Sequence, residues 1–257
     1  MRYVKSYTSI NASVQPLEAP KEGQFNNTLP SKGNFKVLEV WRNADAVCFD
    51  VDSTVCLDEG IDELSKFCGA GKAVAEWTAR WYAFNRHCLD MPWLQDLSLF
   101  NPSLAEVLDF VAKRPLRISP GIDELVKKMR ARNADVYLVS GGFRQMPVAS
   151  ALGIPVDRIF TNQLLFGSFG EFLFDTNEPT SKSGGNATAV QQIKEGELKF
   201  EYRSLVMIGD GATDLEACKP GGADLFICYA GVQLRGAVAN KASWLVFNFK
   251  DLIDCLE

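Results

Sequence analysis

The sequence predicts an α/β protein: a mostly parallel, Rossmann-like sheet covered by helices on both faces, with a helical insertion after the first strand. Three observations predict it. The runs Ala46-Val47-Cys48-Phe49, Asp135-Val136-Tyr137-Leu138-Val139 and Ser204-Leu205-Val206-Met207-Ile208-Gly209 each lead into a polar loop, the pattern of a buried strand bounded by turn signals. Strand and helix patterns alternate along the chain, which implies a parallel sheet buried on both faces. From Gly60 to about Pro115 the periodicity is helical, without a strand signal.

The elements follow in order. Residues 1–40 are rich in Ser, Asn, Thr, Gln and Pro and lack apolar periodicity, so a flexible segment is expected. Their scarcity of acids suits the remnant of an organellar transit peptide, and a tail without function fits equally well. After the first strand, Ile61, Leu64, Phe67 and Cys68 repeat at helical spacing, as do Leu94, Leu97 and Phe100, then Val107, Leu108 and Val111. A helix at about 121–132 leads to the Tyr137 strand, and a further helix is expected from Phe143. A short β excursion from Ile159 to Phe174 precedes a helix after Gly185. The Val206 strand, a strand at Leu225-Phe226-Ile227-Cys228, another near Trp244 to Phe247 and a last helix complete the chain. There is no internal repeat. The reading divides the chain into the flexible segment 1–40, a core made of 41–57 and 116–257, and the helical insertion 58–115.

Composition narrows the function classes. A chain of 257 residues with 47% hydrophobic content can bury a sizeable core. Its net charge of −5, with acids and bases interspersed, argues against a nucleic acid partner, which calls for a basic face. No apolar stretch approaches the roughly 20 residues that span a bilayer, so no membrane partner is expected. The 7 cysteines are scattered without metal-ligand spacing and read as reduced thiols of an intracellular compartment. His87, the sole histidine, reads as a structural residue before a catalyst.

Chemistry concentrates where the strands end. Asp50-Val51-Asp52-Ser53-Thr54 offers two carboxylates one residue apart, able to divide nucleophilic attack on phosphorus from proton exchange with the leaving group. A capped turn is the alternative for this segment alone. Ser140-Gly141-Gly142 joins a hydroxyl to paired glycines whose amides can close on an anion. Asp210-Gly211-Ala212-Thr213-Asp214 carries carboxylates suited to a hard divalent cation. Three such sites in this order favour chemistry over ordinary turns.

Together, Asp50–Thr54, Ser140–Gly142 and Gly209–Asp214 resemble the haloacid dehalogenase superfamily of phosphotransferases. The surrounding sequence is similar to the phosphoserine phosphatase family in its plant form. The likeness runs from about Trp41 to the C-terminus and takes in Asp58–Leu64 and Glu178–Gly185. It implies a magnesium-dependent phosphomonoester hydrolase acting on phosphoserine, a small phosphorylated metabolite. The insertion becomes a helical cap that closes over the site and excludes water. Asp50 is the implied nucleophile, forming an aspartyl-phosphate, and Asp52 the acid and base, with a pKa expected to be raised by burial and neighbouring carboxylates. Mg2+ is assigned to Asp50, the backbone carbonyl of Asp52 and Asp210, with Asp214 behind them. Ser140 and the Gly141 amide would hold phosphoryl oxygens, with Thr213 adding a hydroxyl. Glu59 matches the residue that meets the substrate ammonium, or else is a first-turn helix acid favoured by the macrodipole. Plant members are made with a plastid-targeting leader, which suggests the chloroplast; without one the chain would be cytoplasmic. Assembly is open between a monomer and a homodimer.

Three departures from the family pattern bear on substrate and rate. The lysine expected after Ser183-Gly184-Gly185 is Asn186, which donates a hydrogen bond but brings no charge; Lys182 is the nearby candidate to replace it. In the cap, Asp96 falls where an arginine should bind the substrate carboxylate, and the bulky Tyr82 and Phe84 stand near expected glycines. Asp96 would repel a carboxylate, and Arg86 would have to act from another direction. Pro147 arrives early after Arg144-Gln145-Met146, which clips the helix behind Ser140. The sequence therefore leaves two readings: a phosphatase for phosphoserine or a related small phosphate, and a weakened relative that acts on or binds a different, more apolar, phosphorylated ligand.

Overall fold

The structure, a computed structural model, describes residues 35–84, 99–144, 147–167, 172–196 and 201–256. The strands are β1 (Ala46–Phe49), β2 (Asp135–Phe143), β3 (Ile159–Asn162), β4 (Leu164–Phe166), β5 (Phe172–Phe174), β6 (Leu205–Gly209), β7 (Leu225–Tyr229) and β8 (Trp244–Val246). The helices are α1 (Phe35–Arg42), α2 (Gly60–Phe67), α3 (Gly71–Phe84), α4 (Leu104–Lys113), α5 (Ile122–Ala131), α6 (Val148–Ala151), α7 (Gly185–Glu195), α8 (Ala212–Glu216), α9 (Gly236–Ala239) and α10 (Phe249–Asp254).

Six strands form one parallel sheet in the order β3-β2-β1-β6-β7-β8. Strand residues alternate between its faces, as the period of two requires. Val47, Phe49, Val136, Leu138, Val206 and Ile208 meet Trp41, Leu125 and Phe249 on one side. Ala46, Cys48, Tyr137, Val139, Leu205 and Met207 meet Ala189, Val190 and Ile193 of α7 on the other. The chain winds outward from β1 through β2 to β3, then from β6 through β7 to β8. The order reverses between β1 and β6, and the crevice beyond the carboxyl ends of such a pair is where open α/β sheets bind ligands.

The structure corrects four local expectations. The flexible segment was drawn to residue 40, yet α1 begins at Phe35 and buries Val37 and Trp41. Two apolar residues four apart are too short a pattern to stand out, but the Trp41 indole donates to the Leu252 carbonyl at 3.1 Å and packs edge-on to Trp244. Second, no helix starts at Phe143: β2 continues through Ser140 and the glycines, pairing Ser140 with Thr161 and, after a register shift, Phe143 with Asn162. The Arg144 amide extends this contact to the Asn162 carbonyl at 2.7 Å, and α6 opens only after Pro147, four residues long. Third, the β excursion divides, β3 joining the main sheet while β4 and β5 form a separate antiparallel hairpin. Fourth, the Val107 stripe turns inward at Phe110 while Leu108 faces solvent.

The helices of the insertion have their own core. Leu64, Val107 and Phe110 pack with Phe143 and Leu164, joined by Ile61, Phe67, Phe100, Phe166 and Phe172. α4 starts on a capping box in which Ser103 Oγ accepts the Glu106 amide and the Glu106 carboxylate accepts the Ser103 amide, satisfying two backbone donors reciprocally. The two segments leading into and out of the insertion run side by side: Leu57 N donates to Arg117 O at 2.9 Å and Ser119 N to Val55 O at 2.8 Å. Arg117 also pairs with Asp58 across them. Among the described residues no helix is long and apolar enough to cross a membrane. The cap positions Arg86, His87 and Asp96 and the side chains of Tyr82 and Phe84 lie outside the described residues, as do residues 1–34, Gln145 and Met146.

Candidate active site

Asp50 follows β1 directly, and its amide donates to the Ile208 carbonyl of β6 at 2.9 Å, so the residue is tied to both strands at the switch point. The chain then turns tightly, the Cys56 amide returning to the Val51 carbonyl at 2.8 Å. Within this turn Ser53 takes φ 56°, a left-handed conformation that costs a non-glycine residue about 1–3 kcal/mol and that proteins retain chiefly at functional sites. The turn aims Asp52 back toward the cap segment, where its Oδ1 accepts the Gly60 amide at 2.9 Å. Its other oxygen lies against Gly142: a Cβ there would sit 2.9 Å from Asp52 Oδ2, so the glycine makes room for the carboxylate.

β2 brings Ser140 to the same place. Its buried hydroxyl accepts the Gly142 amide at 3.2 Å and is hydrogen-bonded to Asp50. The Gly141 carbonyl accepts Asn162 Nδ2 at 2.7 Å, and its peptide partner, the Gly142 amide, is the one bonded to Ser140. Beyond β6, Asp210 and Asp214 are both buried. Asp214 receives the Gly211 amide on Oδ2 and the Asn186 side-chain amide on Oδ1, both at 2.9 Å. A side chain at Gly209 would collide with the Asp214 carboxylate, so the motif requires glycine there.

These contacts draw carboxylate oxygens of Asp50, Asp210 and Asp214 to within 4.8 Å of one another. Three buried carboxylates offering only oxygen suit a hard divalent cation, so the residues present fit a metal ion. The side chain of Asp52 is not part of this group and instead accepts the Gly60 amide. Burial is the main force on all four aspartates. It raises Asp50 well above the ordinary carboxylate range, reinforced by Asp214, Asp210 and Asp52 and opposed by the Ser140 hydrogen bond. It lifts Asp52 to about 7, opposed by the Gly60 amide and aided by Glu59 and Asp210. Asp214 is likewise pushed to about 7, by burial and Asp210, against the Gly211 and Asn186 hydrogen bonds. Asp210 is raised by burial, although Arg235 pulls the other way.

Of the remaining sequence candidates, Glu59 precedes α2 without capping it and instead meets Ser53 Oγ and Arg235, each at 3.4 Å. Thr213 occupies the first turn of α8 and is exposed. Lys182 is exposed as well, while Asn186 is buried beside Asp214. Sequence reasoning missed Arg235, whose Nε donates to Asp210 Oδ2 at 2.7 Å while its guanidinium reaches Glu59. The signal was available: Gly231-Val232-Gln233-Leu234-Arg235 follows the carboxyl end of β7, next to β6, where this fold collects its site.

Comparison with known proteins agrees with this geometry. The sequence model of the haloacid dehalogenase-like hydrolase family matches residues 44–222. The chain is 62% identical to the chloroplastic phosphoserine phosphatase of Arabidopsis thaliana over 260 residues, covering 100% of this chain and 86% of that protein. It is 43% identical to the phosphoserine phosphatase of Homo sapiens over 225 residues, 86% of this chain and 97% of that one. Among solved structures, DsGPDH of Dunaliella salina superposes with a TM-score of 0.75 at 35% identity, covering 86% of this chain but only 37% of that longer one. With the fold, the aspartate cluster and these relatives in agreement, the chain belongs to the haloacid dehalogenase-like hydrolase family, on its phosphoserine phosphatase branch.

Proposed function

We propose that this chain is a phosphoserine phosphatase that uses Mg2+ and passes through an aspartyl-phosphate on Asp50. The observation that carries the reading is the convergence of Asp50, Asp52, Ser140, Asp210 and Asp214 at the carboxyl ends of β1, β2 and β6. Asp50, held by its backbone and by Ser140, attacks phosphorus and takes the phosphoryl group onto its side chain. Asp52, which retains its proton to about pH 7, gives that proton to the leaving serine oxygen. It then accepts one from the water that hydrolyses the aspartyl-phosphate. Ser140 and the Gly141 amide orient the phosphoryl oxygens. Asp50 and Asp210 with the Asp52 carbonyl hold Mg2+, Asp214 supports them, and the bound ion supplies neutralisation of phosphate charge. Glu59 lies where the cap begins and receives the substrate ammonium. The relative from Arabidopsis thaliana is named as chloroplastic, and we place this chain in the plastid as well.

The test is phosphate release with Mg2+ from phosphoserine, phosphothreonine, an aryl phosphate and a set of apolar alkyl phosphates, beside an Asp50→Asn control. Release from phosphoserine that vanishes in the control is expected. Release from none of them would end the enzyme reading, and release from all but phosphoserine would end its specificity. A second reading, a slowed enzyme with another substrate, draws support from Asn186, whose neutral amide serves Asp214 and brings no charge to the phosphoryl group.

A further inference from the structure

Behind the Ser140–Gly142 segment lies a cavity of about 20 Å³. Its walls come from both sides of that segment: Asp52, Ser140 and Gly142 toward the active site, Val148 and Ala149 of the short α6, and Arg144 and Thr161 between them. The short α6, which opens after Pro147 and is four residues long, supplies one wall.

Two polar atoms stand out at this cavity. Among the described residues, Arg144 Nε and Thr161 Oγ1 are buried and have no hydrogen-bond partner. The rest of Arg144 is fixed, since its NH2 donates to the Ile159 carbonyl at 2.9 Å and to Glu178 at 2.6 Å, so Nε cannot turn to a new protein acceptor without breaking both. Thr161 is 5% exposed and is the register partner of Ser140 on the adjoining parallel strand, which puts the two hydroxyl side chains on the same face of the sheet. An unpaired buried donor costs about 1–3 kcal/mol, and two at one small cavity call for a ligand that both accepts and donates. A volume near 20 Å³ admits about one water molecule and nothing larger.

We propose that this cavity binds one structural water, accepting from Arg144 Nε and bonded to Thr161 Oγ1, and that through it Thr161 acts as a positioning residue for the phosphate-holding segment Ser140–Gly142. The water ties that segment to Arg144 and hence to Glu178 and β3. Because Ser140 and its neighbouring amides hold the phosphoryl group before and during reaction, a loosened segment weakens ground state and transition state alike, which raises KM and leaves kcat in place.

The functional half rests on the phosphatase reading, so the experiment has an arm that does not. A crystal structure of the full chain at a resolution that shows ordered waters should place a water within hydrogen-bond distance of both Arg144 Nε and Thr161 Oγ1, whether or not the protein turns over phosphoserine. A dry cavity, or Arg144 Nε bonded to protein, would overturn the site. In kinetics, Thr161→Val keeps the shape and removes the hydroxyl, and Thr161→Ser restores it. KM and the inhibition constant of inorganic phosphate should each rise threefold or more in Thr161→Val, with kcat within twofold, and should return in Thr161→Ser. Unchanged constants in a folded Thr161→Val would refute the positioning role. A parent chain inactive on every phosphate would instead count against the phosphatase reading, with the water still decided by the crystal and phosphate affinity by direct binding.

Discussion

Asn186 is the departure from the family pattern that bears on rate. The buried Asp50, Asp210 and Asp214 and the half-buried Asp52 surround the reacting position, and among the described residues the cation that enters their hydrogen bonds is Arg235, committed to Asp210 and Glu59. Asn186 spends its amide on Asp214. A lysine in its place would bring a charge-assisted contact, the kind of preorganised stabilisation whose removal costs enzymes about 10²–10³ in kcat. Asn186→Lys should therefore raise kcat on phosphoserine by about tenfold or more, measured by phosphate release at saturating Mg2+; an unaltered kcat would show that the missing lysine does not limit turnover. The acid role proposed for Asp52 carries a pH dependence. Its folded pKa is raised to about 7 by burial, so the acid form that protonates an alkoxide leaving group is lost as pH rises through about 7. The rate for phosphoserine should fall above that pH, while an aryl phosphate, whose leaving group needs little protonation, should show a flatter limb. Parallel profiles for the two substrates would remove Asp52 from the acid role. The sequence made these aspartates legible because each closes an apolar strand. Arg235 was marked only by its place just after the apolar run of β7, and its partner, Asp210, is declared only when β7 lies beside β6.

At the scale of the element, the decisive feature is how strands deliver loops. β2 runs farther than its sequence suggests because Ser140 and Phe143 find ladder partners on β3, so the Ser140–Gly142 segment, proposed to hold phosphate, is backed by a strand pair. Glycines read as loop in isolation; pairing overrides that preference, as β propensity yields to context. Helix α1 shows the same override. Its Trp41 is fully buried between α10 and β8, and truncation of a buried tryptophan typically costs about 3–5 kcal/mol. Trp41→Ala should lower the unfolding free energy by that measure, read as a lower urea midpoint at an unchanged m-value, and a loss under about 1 kcal/mol would show that α1 is dispensable to the core.

For the whole molecule, the site is a cost that the fold carries. Asp50, Asp52, Asp210 and Asp214 all keep protons to higher pH in the folded chain than ordinary carboxylates do. Between about pH 4 and 7 the folded state thus binds more protons than the unfolded state, and stability falls as pH rises through that window. A metal that binds only the folded chain offsets the loss by mass action. With chelator present, Tm should be lower at pH 8 than at pH 5.5, and Mg2+ should raise it more at pH 8. A Tm independent of both would separate the cluster from metal binding.

The sequence by itself determined the sheet class, its central strands and the aspartates at their ends, because apolar runs and strand-terminal polar residues are local signals; the strand order came from the structure. It also marked Asn186 and the early Pro147 as departures. Only the tertiary structure decided that Asn186 serves Asp214, that Arg235 enters the cluster, that β2 carries Ser140 on a paired strand, and that a cavity with two unpaired donors lies behind it. Each of these is a contact between segments distant in the chain, and such contacts depend on register and packing that no local pattern specifies.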